Sequence, residues 1–268
     1  MNLRKALDKA QKERQFDVLA GDGGNVVVDN SLPLQKEVGK DWQSPVYSES
    51  AQVQLHQDIL MANRCVCIDP MAPVIDSYKV LRAQILQKTR EKGWNTLMIT
   101  SAQPGEGKTL TAINLAITFS KECDQTVMLV DCDLKKQDVH KRFGYESGRG
   151  LGDYLVNDAD MKEIISWPGI DKMTIISGGQ TIQDGTEMLG SPRMKALVQD
   201  MKVRYADRYV IYDVPCLLDR ADAITFASFV DGIVIVTEAG RTSAKDVEKA
   251  MSLVPREKVL GFVLNRFP

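Results

Sequence analysis

Ala102-Gln103-Pro104-Gly105-Glu106-Gly107-Lys108-Thr109 lies between an aliphatic run at 96–100 and a segment in which Ala112, Leu115, Ala116 and Phe119 recur at i, i+3, i+4 and i+7. The flanks read as a β-strand feeding an amphipathic helix. Glycines at 105 and 107 let the connecting backbone curl so that successive N–H groups point inward, and the helix N-terminus adds its positive end at the same spot. A lysine and a threonine directly after the second glycine serve no purpose in a merely structural turn. They fit a phosphate-binding loop, with Ala102 where the first glycine usually stands. Lys108 supplies a point charge for the β and γ phosphates, and Thr109 offers a hydroxyl to Mg²⁺. Gln103, Pro104, Gly105, Glu106, Gly107, Lys108, Thr109 and Leu110 are the candidate nucleotide-binding residues.

Further aliphatic or β-branched runs follow at 126–130, 173–176, 210–212, 233–237 and 259–264. Between them, Met194, Leu197, Val198 and Met201 keep helical spacing behind Ser191-Pro192, a natural N-cap and first-turn pair. Val247, Ala250, Met251 and Val254 do the same behind Thr242-Ser243. Strands alternating with amphipathic helices predict an α/β fold of the P-loop NTPase type, a three-layer sandwich with a mainly parallel sheet and helices on both faces. In such sheets the ligand sits at the strand C-termini. Two strands end there in acids, one at Asp131-Cys132-Asp133 and one at Asp213-Val214-Pro215. Singly, each could be a turn or helix cap. Beside a phosphate loop they read as catalytic groups together with Lys108: Asp213 on Mg²⁺ directly or through water, Asp131 orienting a metal-bound water, and Asp133 accepting the proton of the attacking group. The metal set is then Thr109, Asp131 and Asp213.

The 268 residues carry 34 Lys and Arg against 36 Asp and Glu, a formal charge of -2, which gives no electrostatic reason for a nucleic-acid partner. No apolar stretch approaches the ~18–20 residues that cross a bilayer, and the first residues are charged where a signal peptide would be apolar, so a cytoplasmic location is expected. Five cysteines without a CxxC, and only two histidines, argue against a zinc or disulfide framework. Cys65 and Cys67 form a CxC to which no role is assigned. Leu3, Leu7 and Ala10 suggest an amphipathic N-terminal helix over 1–20. Gly21-Asp22-Gly23-Gly24, Pro33 and Pro45 suggest a linker or mobile arm over 21–64, leaving 65–268 as the P-loop domain.

At these residues the chain resembles the bacterial tyrosine kinases of capsule and exopolysaccharide export, over about 69–266. The phosphate loop has the family's Pro-Gly before the last glycine. Asp131, Asp133 and Lys135 match its Asp-x-Asp-x-Arg motif with Lys for Arg, and 209–215 matches its aliphatic run ending in Asp-x-Pro. Gly150-Leu151-Gly152-Asp153-Tyr154-Leu155, Glu187-Met188-Leu189-Gly190-Ser191, Ala221-Asp222-Ala223, Val230-Asp231-Gly232 and Gly261-Phe262-Val263-Leu264-Asn265 follow in the family's order. The likeness is to the cytoplasmic type, similar to the exosortase-associated autokinases, whose activator is a separate membrane co-polymerase or chain-length protein. It implies a Mg²⁺- and ATP-dependent protein tyrosine autokinase at the inner face of the membrane, reaching it through the partner or the N-terminal helix. It also implies Asn265 as an adenine contact and a homo-oligomer, dimer or ring, in which the helical stripe Asp76, Lys79 and Arg82 touches a neighbour, with Tyr78, Leu81 and Ile85 facing the core.

Relatives usually carry a tyrosine-rich C-terminal tail, whereas here Asn265-Arg266-Phe267-Pro268 follows the last strand at once, and Tyr47 is the most reachable of the seven tyrosines. The opposing reading is a nucleotide switch of the partition and division-site ATPase superfamily, which hydrolyses ATP without modifying protein. Gln103 stands where that group places a signature lysine. A silent scaffold is disfavoured by the intact Lys108, Thr109, Asp131, Asp133 and Asp213. Cys132 and Cys216, beside two of these acids, are candidates for redox modulation or for small core residues.

Overall fold

The computed structural model describes residues 51–267. Its strands are β1 (Ala51–Gln52), β2 (Thr96–Ser101), β3 (Thr126–Asp131), β4 (Ile165–Trp167), β5 (Met173–Ile176), β6 (Arg208–Asp213), β7 (Gly232–Glu238) and β8 (Val259–Asn265). The helices are α1 (Gln57–Ala62), α2 (Ile75–Thr89), α3 (Lys108–Ser120), α4 (Val139–Phe143), α5 (Leu151–Asn157), α6 (Met161–Ile164), α7 (Gly185–Leu189), α8 (Pro192–Arg204), α9 (Asp222–Phe226) and α10 (Ala244–Ser252). The strands form one sheet in the order β1-β4-β5-β3-β6-β2-β7-β8, parallel except where β4 runs against β5.

The central strands are apolar at consecutive positions because both faces of the sheet are covered. On β3, Met128 and Val130 enter one hydrophobic cluster while Val127 and Leu129 enter the other. The same alternation divides Val210 and Tyr212 from Tyr209 and Ile211 on β6. Helix α8 covers the first face with Met194, Leu197, Val198 and Met201. Helix α3 covers the second with Ile113, Leu115, Ala116, Ile117 and Phe119. The caps foreseen in the sequence form: Ser191 accepts the Met194 amide and Ser243 accepts the Asp246 amide, each at 3.1 Å. The six expected strands are present within a residue or two of their expected ends. The fold is the P-loop α/β sandwich with a mainly parallel sheet.

One boundary is corrected. The linker assigned to 21–64 does not extend through 51–64, where β1 pairs in parallel with β4 and α1 buries Leu60. Two residues of strand and a helix with a single buried side chain are too short to show a period. Asn114, buried on α3, completes this attachment, accepting the Cys67 amide at 3.0 Å and donating to the Arg64 carbonyl at 3.0 Å. Cys65 and Cys67 are packing residues, and burial pushes the Cys65 thiol up to about 12. The 1–20 helix, the 21–50 arm and Tyr47 lie outside the described residues. Among the described residues no helix is long and apolar enough to cross a membrane.

Asp231, just before β7, ties three elements together. Its Oδ2 accepts the Asn95 and Thr96 amides at 3.1 and 3.2 Å and the Thr96 hydroxyl at 2.8 Å, while Oδ1 pairs with Lys202 of α8. Burial opposes its ionisation, but Lys202 and these donors outweigh that and hold the carboxyl below its usual range. Asp231→Ala should therefore cost about 2–3 kcal/mol at neutral pH, measured by urea unfolding. The folded-state pKa lies below the unfolded one, so this contribution is present above the unfolded pKa and lost as pH falls through the folded one. Parent and variant should converge in acid.

Candidate functional site

Between β2 and α3 the chain turns through Gly105 (φ +84°) and Gly107 (φ +98°), conformations that favour glycine. A side chain at 107 is disfavoured by that φ, and an added Cβ would lie 2.2 Å from Asn265 Nδ2 and force it to move. Turning this loop's amides inward turns its carbonyls outward, and each of three finds a side-chain donor. Pro104 O accepts Arg241 at 3.2 Å, Gly105 O accepts Arg266 at 3.3 Å and Glu106 O accepts Asn265 Nδ2 at 2.8 Å. Glu238, at the end of β7, holds both arginines, Arg266 at 2.7 Å and Arg241 at 3.1 Å. From within, the buried Glu106 side chain accepts the Gln103 amide at 2.8 Å and the Thr242 hydroxyl. Of the sequence candidates, Gln103 and Glu106 thus shape the loop from beneath. Pro104, Gly105, Gly107, Lys108, Thr109, Leu110 and Asn265 line the open cavity, of about 900 Å³. Asn265 is at the cavity as expected, with its amide on the loop.

The three acids prove unequal. Lys108 Nζ donates to Thr109 Oγ1 at 3.2 Å and lies 3.3 Å from Asp213 Oδ1 and 3.5 Å from Asp133 Oδ2. Burial works against its charge, but Asp213, Asp133 and Asp131 outweigh burial and hold its pKa above the ordinary value. Asp213 is fully buried and pushed up by that burial, with Lys108 and Thr109 partly offsetting it. Its Oδ2 has no hydrogen-bond partner. An orphaned carboxylate oxygen beside a threonine hydroxyl fits Mg²⁺, a hard cation that takes one or two protein oxygens and fills its other positions with water and substrate. Among the described residues no group of three or more His, Cys, Asp or Glu could hold a metal without such help.

Asp131 has both oxygens engaged with backbone: Oδ1 accepts the Asp133 amide at 3.0 Å, and Oδ2 accepts the Asp138 and Val139 amides at 3.2 Å. It folds the β3–α4 loop, and neither it nor Asp213 is among the side chains that line the cavity. Burial and the neighbouring Asp213 push its carboxyl up to about 7. Asp133 is the acid that lines the cavity. Its Oδ1 accepts Arg220 at 2.8 Å, and although burial opposes ionisation, Lys108 and Arg220 hold it below the usual range. The sequence reading missed Arg220, Arg241, Arg266 and Glu238. Each is a lone charge in a loop or at a strand end, and nothing in its spacing points across the fold to the phosphate loop.

Comparisons with known proteins agree with this arrangement. A family model described as ParA, NUBPL iron-transfer P-loop NTPase, matches residues 93–266. The tyrosine-protein kinase YwqD of Bacillus subtilis (strain 168) is 30% identical over 208 residues, covering 77% of this chain and 86% of YwqD. The chain belongs to the bacterial tyrosine-protein kinase family. Solved structures agree with this membership. The chimerical protein CapA2B2 matches with a TM-score of 0.70 and 25% identity over 84% of this chain and 95% of that one. The kinase domain of Escherichia coli tyrosine kinase ETK matches with a TM-score of 0.68 and 26% identity, over 76% of this chain and 82% of that one.

Other expected features fall differently. Asp76 and Lys79 are exposed and pair with each other at 2.9 Å, whereas Arg82 is committed within its own chain, to Glu122 at 2.6 Å and to the Thr118 carbonyl. The stripe is thus not a uniform free surface. Cys132 is fully buried and Cys216 nearly so, and burial raises both thiol pKa values, which disfavours the reactive thiolate.

The carbonyl clamp predicts that Arg241→Ala with Arg266→Ala lowers affinity for a Mg-nucleotide about three- to tenfold by titration calorimetry. Thermal unfolding should move by no more than ~2 °C. The Asp131 carboxyl makes a second prediction. Its folded-state pKa is raised, so the associated stability is present below the unfolded pKa and lost as pH rises through about 7. Relative to Asp131→Asn, the nucleotide-free parent should lose stability between pH 5 and 8, seen as a falling difference in urea midpoint.

Proposed function

We propose that this chain is a Mg²⁺- and ATP-dependent protein tyrosine kinase that works in polysaccharide synthesis or export with a membrane co-polymerase partner. The observation that carries the reading is Lys108, held between Asp213 and Asp133 at the mouth of a loop whose carbonyls are turned away. That geometry suits a triphosphate, and family membership selects phosphoryl transfer to tyrosine as its use.

The inward amides and Lys108 bind the β and γ phosphates, drawing Lys108 from its two carboxylates. Thr109 and Asp213 would hold Mg²⁺, which when bound supplies positive charge to the phosphoryl oxygens. Asp133, lining the cavity, accepts the hydrogen bond of the incoming phenol and orients it. A depressed pKa is compatible with that role, because a loose transition state needs little proton removal before the phosphorus–oxygen bond to the leaving group stretches. Arg220, hydrogen-bonded to Asp133, is a positioning residue for it. Asp131 folds the loop that carries Asp133, and orienting a metal-bound water is its part in this proposal.

Partner contact, association with the inner face of the membrane through that partner or the N-terminal segment, and assembly into a dimer or ring belong to this proposal. The ATPase switch shares the fold that the ParA match identifies. Gln103 stands where that switch places its signature lysine, which favours the kinase.

Purified protein incubated with Mg-ATP should acquire phosphotyrosine, mapped by mass spectrometry, and Lys108→Met should reduce the incorporation at least a hundredfold, since it removes a charge made for the transition state. Release of free phosphate without any modified tyrosine would sink the kinase reading.

A further inference from the structure

Two cations meet at Asp133, and they cannot both follow an arriving triphosphate if that carboxylate is to keep its orientation. Lys108 lies 3.5 Å from Oδ2, and Arg220 Nη2 donates to Oδ1 at 2.8 Å. A triphosphate carries more charge than a carboxylate and attracts both. If both went, only the Lys136 amide, 3.0 Å from Oδ1, would hold Asp133 in place.

Arg220 has further anchors. Its Nε lies 3.9 Å from Asp219 Oδ2 and 3.9 Å from Asp222 Oδ2. Asp219 is half exposed, whereas Asp222, the first residue of α9, is 1% exposed. Asp222 Oδ2 accepts the Thr186 hydroxyl of α7 at 3.2 Å, and Oδ1 has no hydrogen-bond partner. Helix α7 closes over it: an added Cβ at Gly185 would lie 3.3 Å from Asp222 Oδ1, and one at Gly190 would lie 2.6 Å from Thr225 Cγ2. Arg220 is the one cation paired with Asp222 among the described residues. The backbone leading to Arg220 is fixed as well. Leu217 and Leu218 donate their amides to the Ser101 and Ala102 carbonyls at 2.9 and 3.2 Å, and the Thr100 hydroxyl donates to the Pro215 carbonyl at 2.6 Å.

We infer that Asp222 is a positioning residue for the transfer: it retains Arg220 on Asp133 Oδ1 when Lys108 departs, so that Oδ2 is the oxygen that accepts the hydroxyl of the incoming tyrosine. The inference rests on the kinase reading above. Lys108 is free to leave because its partner Asp213 lies beside Thr109, where the nucleotide's cation arrives. Asp222 lies against α7 instead, and no phosphate-loop residue bonds to it. Departure of Arg220 would strand a buried carboxylate with a single hydroxyl, and removing one partner of a buried pair is strongly destabilising. Arginine suits the task, because its planar fork holds one carboxylate through Nη2 while Nε faces another. With Arg220 kept back, the pull of the phosphates falls on Lys108, and the oxygen that Lys108 relinquishes opens to the cavity.

The test uses the full chain with a synthetic Glu-Tyr copolymer as acceptor. Asp222→Asn keeps the shape of the side chain and removes its charge, releasing Arg220 to the phosphates. Its kcat should fall about tenfold while Mg-ATP affinity by titration calorimetry rises about threefold, since a freed guanidinium adds a phosphate contact. A general packing defect would weaken nucleotide binding instead. Arg220→Met should lower both kcat and the thermal midpoint of the nucleotide-free protein, because it strands Asp222. Adding Asp222→Asn to it should restore most of that midpoint and leave kcat within about twofold of Arg220→Met alone. The inference is overturned if Asp222→Asn leaves the parent's kcat within about twofold, fails to tighten Mg-ATP binding, or lowers kcat as much in the Arg220→Met background as in the parent. The kinase reading fails separately, if the parent places no phosphate on the copolymer; the calorimetry and the thermal midpoints then still report whether Asp222 holds Arg220.

Discussion

Every peptide unit whose N–H is aimed at a phosphate aims its C=O the other way, and those carbonyls must be satisfied for the loop to hold its shape. Here the requirement is met by side chains from distant parts of the chain: Arg241 from the segment after β7, and Asn265 and Arg266 from the end of β8, with Glu238 binding the two arginines together. The edge strand β8 and its neighbour β7 are thereby recruited to the site. A pre-formed loop need not be organised by its ligand, so the ordering cost is met during folding and the phosphate affinity is kept.

Inside that frame the same residue type does three different jobs. Asp213 is buried with one oxygen unmatched, Asp131 has both oxygens taken by amides, and Asp133 opens on the cavity between two cations. A sequence presents the three as interchangeable acids at strand ends. What separates them is the direction of the chain just beyond each strand. After Asp131 the backbone folds back, so that its own amides reach the carboxylate. After Asp213 it continues through Val214 and Pro215, and no amide is offered to Oδ2. That Asp131 also folds its own loop was not legible, because hydrogen bonds along eight residues of loop do not appear as a motif.

Local signals were otherwise well legible. Strands β2, β3, β5, β6, β7 and β8 each carry a run long enough to show itself, and α8 and α10 announce their starts with serine caps. The phosphate loop is legible because its requirements, two glycines with positive φ and a lysine at the helix start, are local too. What escaped is non-local or short: a two-residue β1, an antiparallel β4 of three residues, and the Glu238–Arg241–Arg266 clamp. In the clamp each charge, read alone, is an ordinary surface residue, and only the parallel register of β7 with β8, Glu238 opposite Asn265, brings them together.

That register also explains why Lys108 sits where it does. With the outward face of the loop fixed by cations from β7 and β8, the inward face is left to the acids of β6 and β3, and the lysine goes to them. Two carboxylates around one ammonium form a buried group whose balance depends on that ammonium. Once a triphosphate draws Lys108 away, Asp213 is left with its orphaned oxygen and Asp133 with Arg220 and the Lys136 amide, and both gain affinity for positive charge. Metal binding at Asp213 and recognition of a hydroxyl at Asp133 are therefore coupled to nucleotide binding through a single side chain, without any large movement of the sheet that carries them.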